Sequence, residues 1–204
     1  MKIYIDFDGT LFNTDKYTED FMNILNDYGI DKALFNEVND KLCGNNKLFN
    51  INVIVDYFVT KYNIDNSLKD KIGNLLNDSY VYSDVVECLN VLINSGYELY
   101  LLTYGDDDFQ RLKINASNLS KYFKEIIITE KDKSKLDIDY NNNIFIDNNP
   151  NEIEKFYASN ARKIIRIRRD NDKFANNQCN ISNVAQCSDF NQIVDFLKGG
   201  FINE

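Results

Sequence analysis

Five short apolar runs, Lys2–Asp6, Glu98–Thr103, Glu125–Thr129, Asn143–Ile146 and Lys163–Ile167, set the terms on which this chain can fold. Each is a nearly continuous series rich in Ile, Leu, Val and Tyr rather than an alternation of apolar and polar residues. That pattern suits parallel strands covered on both faces. Helical periodicity lies between the runs. Ser83–Ser95 carries Val85, Val86, Leu89, Leu92 and Ile93 at helical spacing, with Ser83 as N-cap and Gly96 just past the end. The acidic run Asp106–Asp108 favours a second helix start. Pro150 behind Asn149 favours a third, and Ser188 to Lys198, closed by Gly199, a fourth. Strands alternating with helices place the chain in the α/β class, as a doubly wound, Rossmann-like parallel sheet of about five strands.

Residues 13–80 break that rhythm. They hold about four helical patterns, near Tyr17–Tyr28, Asp31–Leu42, Leu48–Tyr62 and Ser67–Ser79, with Gly29, Cys43–Asn46 and Asn63–Asn66 between them. The expected organisation is an α/β core from residues 1–12 and 81–204, with an all-helical cap inserted at 13–80. The polar tract Arg168–Gln186 has weak periodicity and is expected to be a long surface loop. The basic stretch Arg162, Lys163, Arg166, Arg168 and Arg169 is expected to line a solvated strand edge.

Composition removes whole classes of chemistry. The chain has no histidine, which excludes Ser-His-Asp and Cys-His catalysis and every His-ligated zinc site. Its four cysteines show no C-x-x-C spacing and suit thiols in a reducing compartment. A net charge of −9 disfavours nucleic acid and anionic membrane surfaces as partners. Acids at Asp6 and Asp8 stand where a signal peptide would need an apolar run, and no stretch approaches the ~18 apolar residues of a membrane span. A cytoplasmic protein is expected, of open oligomeric state.

The chemistry-bearing motif is Ile-Tyr-Ile-Asp6-Phe-Asp8-Gly9-Thr10-Leu11. Ligands of open α/β sheets bind beyond the carboxyl ends of strands, where the strand order reverses. Residues two apart in extended chain point the same way, so both acids can face one pocket. Two such carboxylates repel unless a cation or a shared proton intervenes. A hard cation such as Mg²⁺ answers that need, since it takes one or two carboxylates and a phosphate oxygen. One acid could then attack phosphorus while the other moves the proton of the leaving group and of water.

With its D-F-D-G-T-L motif after the first strand, the chain resembles the haloacid dehalogenase superfamily, whose first motif is D-x-D-x-[TV]-L. The other motifs follow in order over nearly the whole length. Leu101-Leu102-Thr103-Tyr104-Gly105 is similar to the second, a hydroxyl that bonds the transferring phosphoryl group. Lys131, Lys133 and Lys135 offer the third-motif lysine, with Lys133 best placed by spacing. Ile144-Phe145-Ile146-Asp147-Asn148-Asn149-Pro150 resembles the fourth, acidic motif. The resemblance implies Asp6 as nucleophile and Asp8 as acid/base. It also implies Mg²⁺ held by Asp6, the carbonyl of Asp8, and Asp147.

The two-acid first motif resembles the phosphatase and phosphotransferase members, since the family's true dehalogenases lack the second acid. Thr103, Tyr104 and Lys133 would then bind phosphate. Asn148 stands where relatives often carry a second acid, so Glu152 is a candidate substitute. Asn13 lies at the core–cap junction, and Asn46 and Lys47 in a cap loop that could select substrate. The expected function is Mg-dependent hydrolysis of a small phosphorylated metabolite. Alternatives are a phosphomutase-type phosphotransferase and a degenerate binding protein.

Overall fold

The computed structural model describes residues 1–44, 48–76, 79–170, 172–182 and 184–200, and its centre is a sheet of six parallel strands. They are β1 (Lys2–Ile5), β2 (Glu98–Tyr104), β3 (Glu125–Thr129), β4 (Ile144–Asp147), β5 (Lys163–Ile167) and β6 (Ala185–Cys187). The order across the sheet is β3-β2-β1-β4-β5-β6. It reverses between β1 and β4, so the crevice at their carboxyl ends is the place where such sheets bind ligands.

Near-continuous apolar strands arise because both faces are covered. Ile3 and Ile5 look into one buried cluster with Leu99, Leu101, Ile144 and Ile146, whereas Tyr4 looks into the other with Leu102, Phe145 and Ile164. Helices α5 (Val85–Asn94) and α8 (Phe190–Gly199) cover the first face. Helix α7 (Pro150–Ala158) covers the second through Ile153 and Phe156. Capping follows the sequence closely at α6 (Asp107–Ala116), where Asp106 accepts from Phe109 N, and at α7, where Asn149 accepts from Asn151 N ahead of Pro150. At α5 the cap residue is Asp84 rather than Ser83.

Between β1 and α5 lie α1 (Thr14–Asp27), α2 (Lys32–Cys43), α3 (Ile51–Lys61) and α4 (Ser67–Leu75). The chain leaves the sheet and returns beside itself: Asn13 N donates to Tyr80 O and Tyr82 N to Leu11 O. No described helix is long and apolar enough to cross a membrane.

Two expectations are corrected. The tract 168–186 is not wholly loop, because β6 begins at Ala185 and pairs with β5. Three residues are too few to show a period, so only pairing reveals that strand. Nor is the basic stretch a solvated edge throughout. Arg166 and Arg169 are buried, while Arg162 and Arg168 stay exposed. Arg166 donates to the carbonyls of Asn148 and Phe174, and Arg169 to Asp84 and the carbonyl of Thr10. These arginines fasten the loops beyond β1, β4 and β5 in a largely buried place. Burial draws the Arg166 guanidinium below its ordinary range, helped by the neighbouring Arg168.

Candidate active site

Sheet pairing continues past the end of β1, where Asp6 N donates to Ile146 O. The chain then turns sharply. Phe7 O accepts from the N–H groups of Thr10, Leu11 and Phe12, and Gly9 adopts φ +75°. A Cβ at Gly9 would lie 2.1 Å from Asn148 Nδ2 and 2.4 Å from Asp172 Oδ2, so glycine is required both by its torsion and by its neighbours. This turn sets Asp6 and Asp8 against a cavity of about 500 Å³, also lined by Thr103, Lys133 and Asp147.

Lys133 stands in the 3-10 turn Lys133–Lys135, whose Asp132 accepts from Ser134 N. Its Nζ donates to Asp6 Oδ1 at 2.5 Å and to Asp147 Oδ2 at 2.9 Å. Tyr140 donates to the Lys133 carbonyl and holds the turn in place. All three charged side chains are buried. Burial pushes the Asp6 carboxyl up to about 7 against the pull of Lys133, and the charge of Asp147 adds to the rise. Burial alone would lower the Lys133 ammonium, but Asp147 and Asp6 outweigh it and raise it. One ammonium thus serves two carboxylates and leaves the group one negative charge over.

Asp8 has different company. Lys113 Nζ donates to its Oδ1 at 2.5 Å, Thr14 Oγ1 to the same oxygen at 2.9 Å, and Gln110 Nε2 to Oδ2 at 2.8 Å. Burial works to raise this carboxyl. Lys113, Gln110 and Thr14 more than offset it and hold it below the usual carboxylate range. Lys113 and Gln110 are three apart on the inner face of α6, which brings both to the same acid. The Lys113 ammonium also lies 4.9–5.6 Å from the ring centres of Phe109, Phe12 and Phe7. Neither residue was anticipated from the sequence. The only early sign was a lysine and a glutamine among the apolar positions of a helix that starts right after the Thr103 motif.

Thr103 is buried at the end of β2, and its Oγ1 accepts from Gln110 Nε2 at 3.3 Å. The hydroxyl proton is therefore left to donate elsewhere. Tyr104 also borders the cavity, with its side chain half exposed and its carbonyl accepting from Gln110. Of the three candidate lysines, Lys133 meets the acids, while Lys131 and Lys135 are both exposed. Glu152 lines the cavity but is ion-paired with Lys155 at 2.7 Å. Asn148 instead donates to Asp172 Oδ2 at 2.7 Å, so the neighbouring acid comes from the loop after β5. Burial raises the Asp172 carboxyl. Asn13 is not brought to the cavity wall; its side chain caps α1 by accepting from Lys16 N. Asn46 and Lys47 lie outside the described residues.

Residues 3–144 match the family model described as haloacid dehalogenase-like hydrolase. No protein of curated function matches the chain by sequence. Among solved structures, a haloacid dehalogenase-like hydrolase from Burkholderia xenovorans LB400 superposes with a TM-score of 0.75 at 17% identity, over 97% of this chain and 96% of that one. A phosphatase of the same family from Thermococcus onnurineus gives 0.65 at 17% identity, over 99% and 100%. A family hydrolase from Bacillus subtilis bound to magnesium gives 0.62 at 13% identity, over 95% and 96%. At these identities the likeness establishes the fold.

Proposed function

This chain belongs to the haloacid dehalogenase-like hydrolase family, and from that premise we propose that it is a phosphatase of small phosphomonoesters, working through an aspartyl-phosphate on Asp6. The observation that carries the reading is the convergence of Asp6 and Asp147 on Lys133, with Thr103 and Asp8 on the same cavity. Asp8 favours phosphoryl over dehalogenase chemistry, because a dehalogenase has no leaving alcohol to protonate.

Mg²⁺ fits the donor set. Among the described residues no three acid or thiol side chains close on one point. A magnesium site of this kind needs only one or two carboxylates, with oxygens from elsewhere. Asp6 and Asp147 would hold the ion with the Asp8 carbonyl, and the surplus negative charge beside Lys133 suits a cation. When bound, it would neutralise charge on the phosphoryl oxygens.

The chain's own groups supply the rest. Thr103 donates its free proton to a phosphoryl oxygen, and Lys133 orients the Asp6 carboxylate. Asp6 attacks phosphorus, its oxygen bonds there, and the bond to the leaving oxygen breaks as Asp8 gives up a proton. Asp8 then takes a proton from water, whose oxygen attacks the same phosphorus and frees Asp6 and inorganic phosphate. Lys113 holds Asp8 as a carboxylate at rest, the form needed for this second half. For the first half Asp8 must gain a proton, and an incoming phosphate that draws Lys113 toward itself would allow that.

Phosphate release from a panel of phosphomonoesters tests the reading, with and without Mg²⁺, alongside chloride release from 2-chloropropionate and mutase assays. Phosphate release that needs Mg²⁺ and vanishes in Asp6→Asn is the expected result. Activity surviving that substitution, or confined to chloride release, would overturn it.

A further inference from the structure

We propose that the alcohol part of the substrate is an aromatic group bearing a hydrogen-bond donor, an aryl or arylmethyl phosphomonoester rather than a phosphorylated polyol. The inference rests on the phosphatase reading and adds the chemistry of the leaving group. A cavity of about 500 Å³ is far larger than a phosphate, and the space beyond the acids lies against the helical segment. That wall is aromatic. Tyr17 and Phe21 come from α1, Phe35 from α2, Phe49 from just before α3, and Phe109 from α6.

Their arrangement suits a flat ring. Phe21 and Phe35 meet edge to face at 5.6 Å and 75°, and Phe49 meets Phe109 at 5.6 Å and 61°. Both pairs border the cavity, and ring edges and faces offered this way favour another ring. Phe49 remains 36% exposed at the cavity, which leaves apolar surface for a ligand to cover.

Two buried oxygens at this cavity accept no hydrogen bond, Gln110 Oε1 beside the acids and Asn39 Oδ1 on the helical wall. Asn39 follows Phe35 by four residues on α2, and so shares its face. Its Oδ1 is buried and accepts no hydrogen bond. A buried acceptor without a partner is uncommon and costly, and a ligand N–H or O–H entering the cavity would satisfy it. Three other polar groups nearby are engaged: Thr14 Oγ1 donates to Asp8, Thr18 Oγ1 to the carbonyl of Thr14, and Asp15 accepts from Lys173 N. Asn39 Oδ1, a free acceptor among aromatic rings, fits a ring that carries a donor. A wall built mainly of rings fits poorly a sugar whose several hydroxyls would each need a partner.

The test compares kcat/KM for 4-acetamidobenzyl phosphate, benzyl phosphate and glucose 6-phosphate, all esters of weakly acidic alcohols. Isothermal calorimetry on benzylphosphonate and a glucose phosphonate runs in parallel. Both benzyl esters are expected to exceed glucose 6-phosphate by about 30-fold or more, with the acetamido ester ahead. Asn39→Leu is expected to abolish the lead of the acetamido ester and leave benzyl phosphate nearly unchanged. Phe35→Ala is expected to lower both benzyl esters about tenfold and spare glucose 6-phosphate. Equal or faster hydrolysis of glucose 6-phosphate, or variants that slow all three esters alike, would overturn the inference and leave the phosphatase reading standing. If no ester is hydrolysed with Mg²⁺ present, the phosphatase reading fails. Calorimetry then decides the pocket: tighter binding of benzylphosphonate upholds an aromatic site, and equal or no binding overturns it.

Discussion

Asp6 and Asp8 leave the same strand end two residues apart, yet the two sides of the site treat them differently. On the β4 side, Asp6 shares Lys133 with Asp147 in full burial, and its carboxyl is pushed up to about 7. On the α6 side, Asp8 has Lys113 to itself, with Gln110 and Thr14 bonded to the same carboxylate, and its carboxyl is held down. Two neighbouring acids acquire separate characters because each lysine arrives from a different element. Separation of this kind is how paired carboxylates come to perform different tasks. It also leaves the β4 side short of positive charge, and the α6 side balanced.

The sharpest way to break the comparison is to remove one acid. Asp6→Asn should lower phosphate release by about 10⁴-fold or more, since an amide at this position cannot form the acyl phosphate. Phosphate-release assays and mass spectrometry of the trapped phosphoenzyme would measure it. Next is Lys133→Met, which strands two buried carboxylates on the side already short of cation. A loss of about 10³-fold in kcat/KM and about 3 kcal/mol in stability is expected from denaturant titration. Lys135→Ala should change both hardly at all, and an equal effect there would erase the distinction between the two lysines.

Lys113→Met addresses the other side. Asp8 must be protonated to act as an acid, so its ionisation sets the basic limb of the kcat/KM profile. Losing Lys113 should move that limb to higher pH and lower the maximum about 30-fold. Lys113→Arg should restore much of the loss, and an unmoved limb would mean that Lys113 does not control Asp8.

The smallest effect concerns stability without metal. A carboxyl whose folded pKa is raised favours folding in its protonated form. Its contribution is therefore complete below about pH 4 and is lost as pH climbs through about 7. Asp6→Asn removes that loss. With chelator present, the variant should match wild type near pH 4 and exceed it by on the order of 2 kcal/mol at pH 8. Thermal melts across that range, showing parallel curves for the two proteins, would mean that Lys133 compensates Asp6 completely.

Much of this was legible in the chain. The apolar runs announced buried parallel strands, because a strand covered on both faces needs no polar alternation. The D-F-D-G-T-L turn announced the acids, since glycine was the one residue able to adopt the left-handed torsion in that space. The short strand Ala185–Cys187, by contrast, has no period to read, and the buried arginines Arg166 and Arg169 look in sequence like any exposed basic residues. Lys113 and Gln110 were hidden for a related reason, as polar positions on an amphipathic helix ordinarily face water.

Sequence by itself determined five of the six strands, the segment of four helices and the acids at the strand ends, because local periodicity and turn chemistry are written within a few residues of where they act. Only the tertiary structure decided which lysine serves which acid, that Asp172 stands beside Asn148, and that Asn39 Oδ1 is left without a donor. Those outcomes depend on side chains separated by 14 to 127 positions in the chain, from Lys133–Asp147 to Asp6–Lys133, meeting in low-dielectric space. Electrostatic strength there follows distance and burial, neither of which is encoded locally.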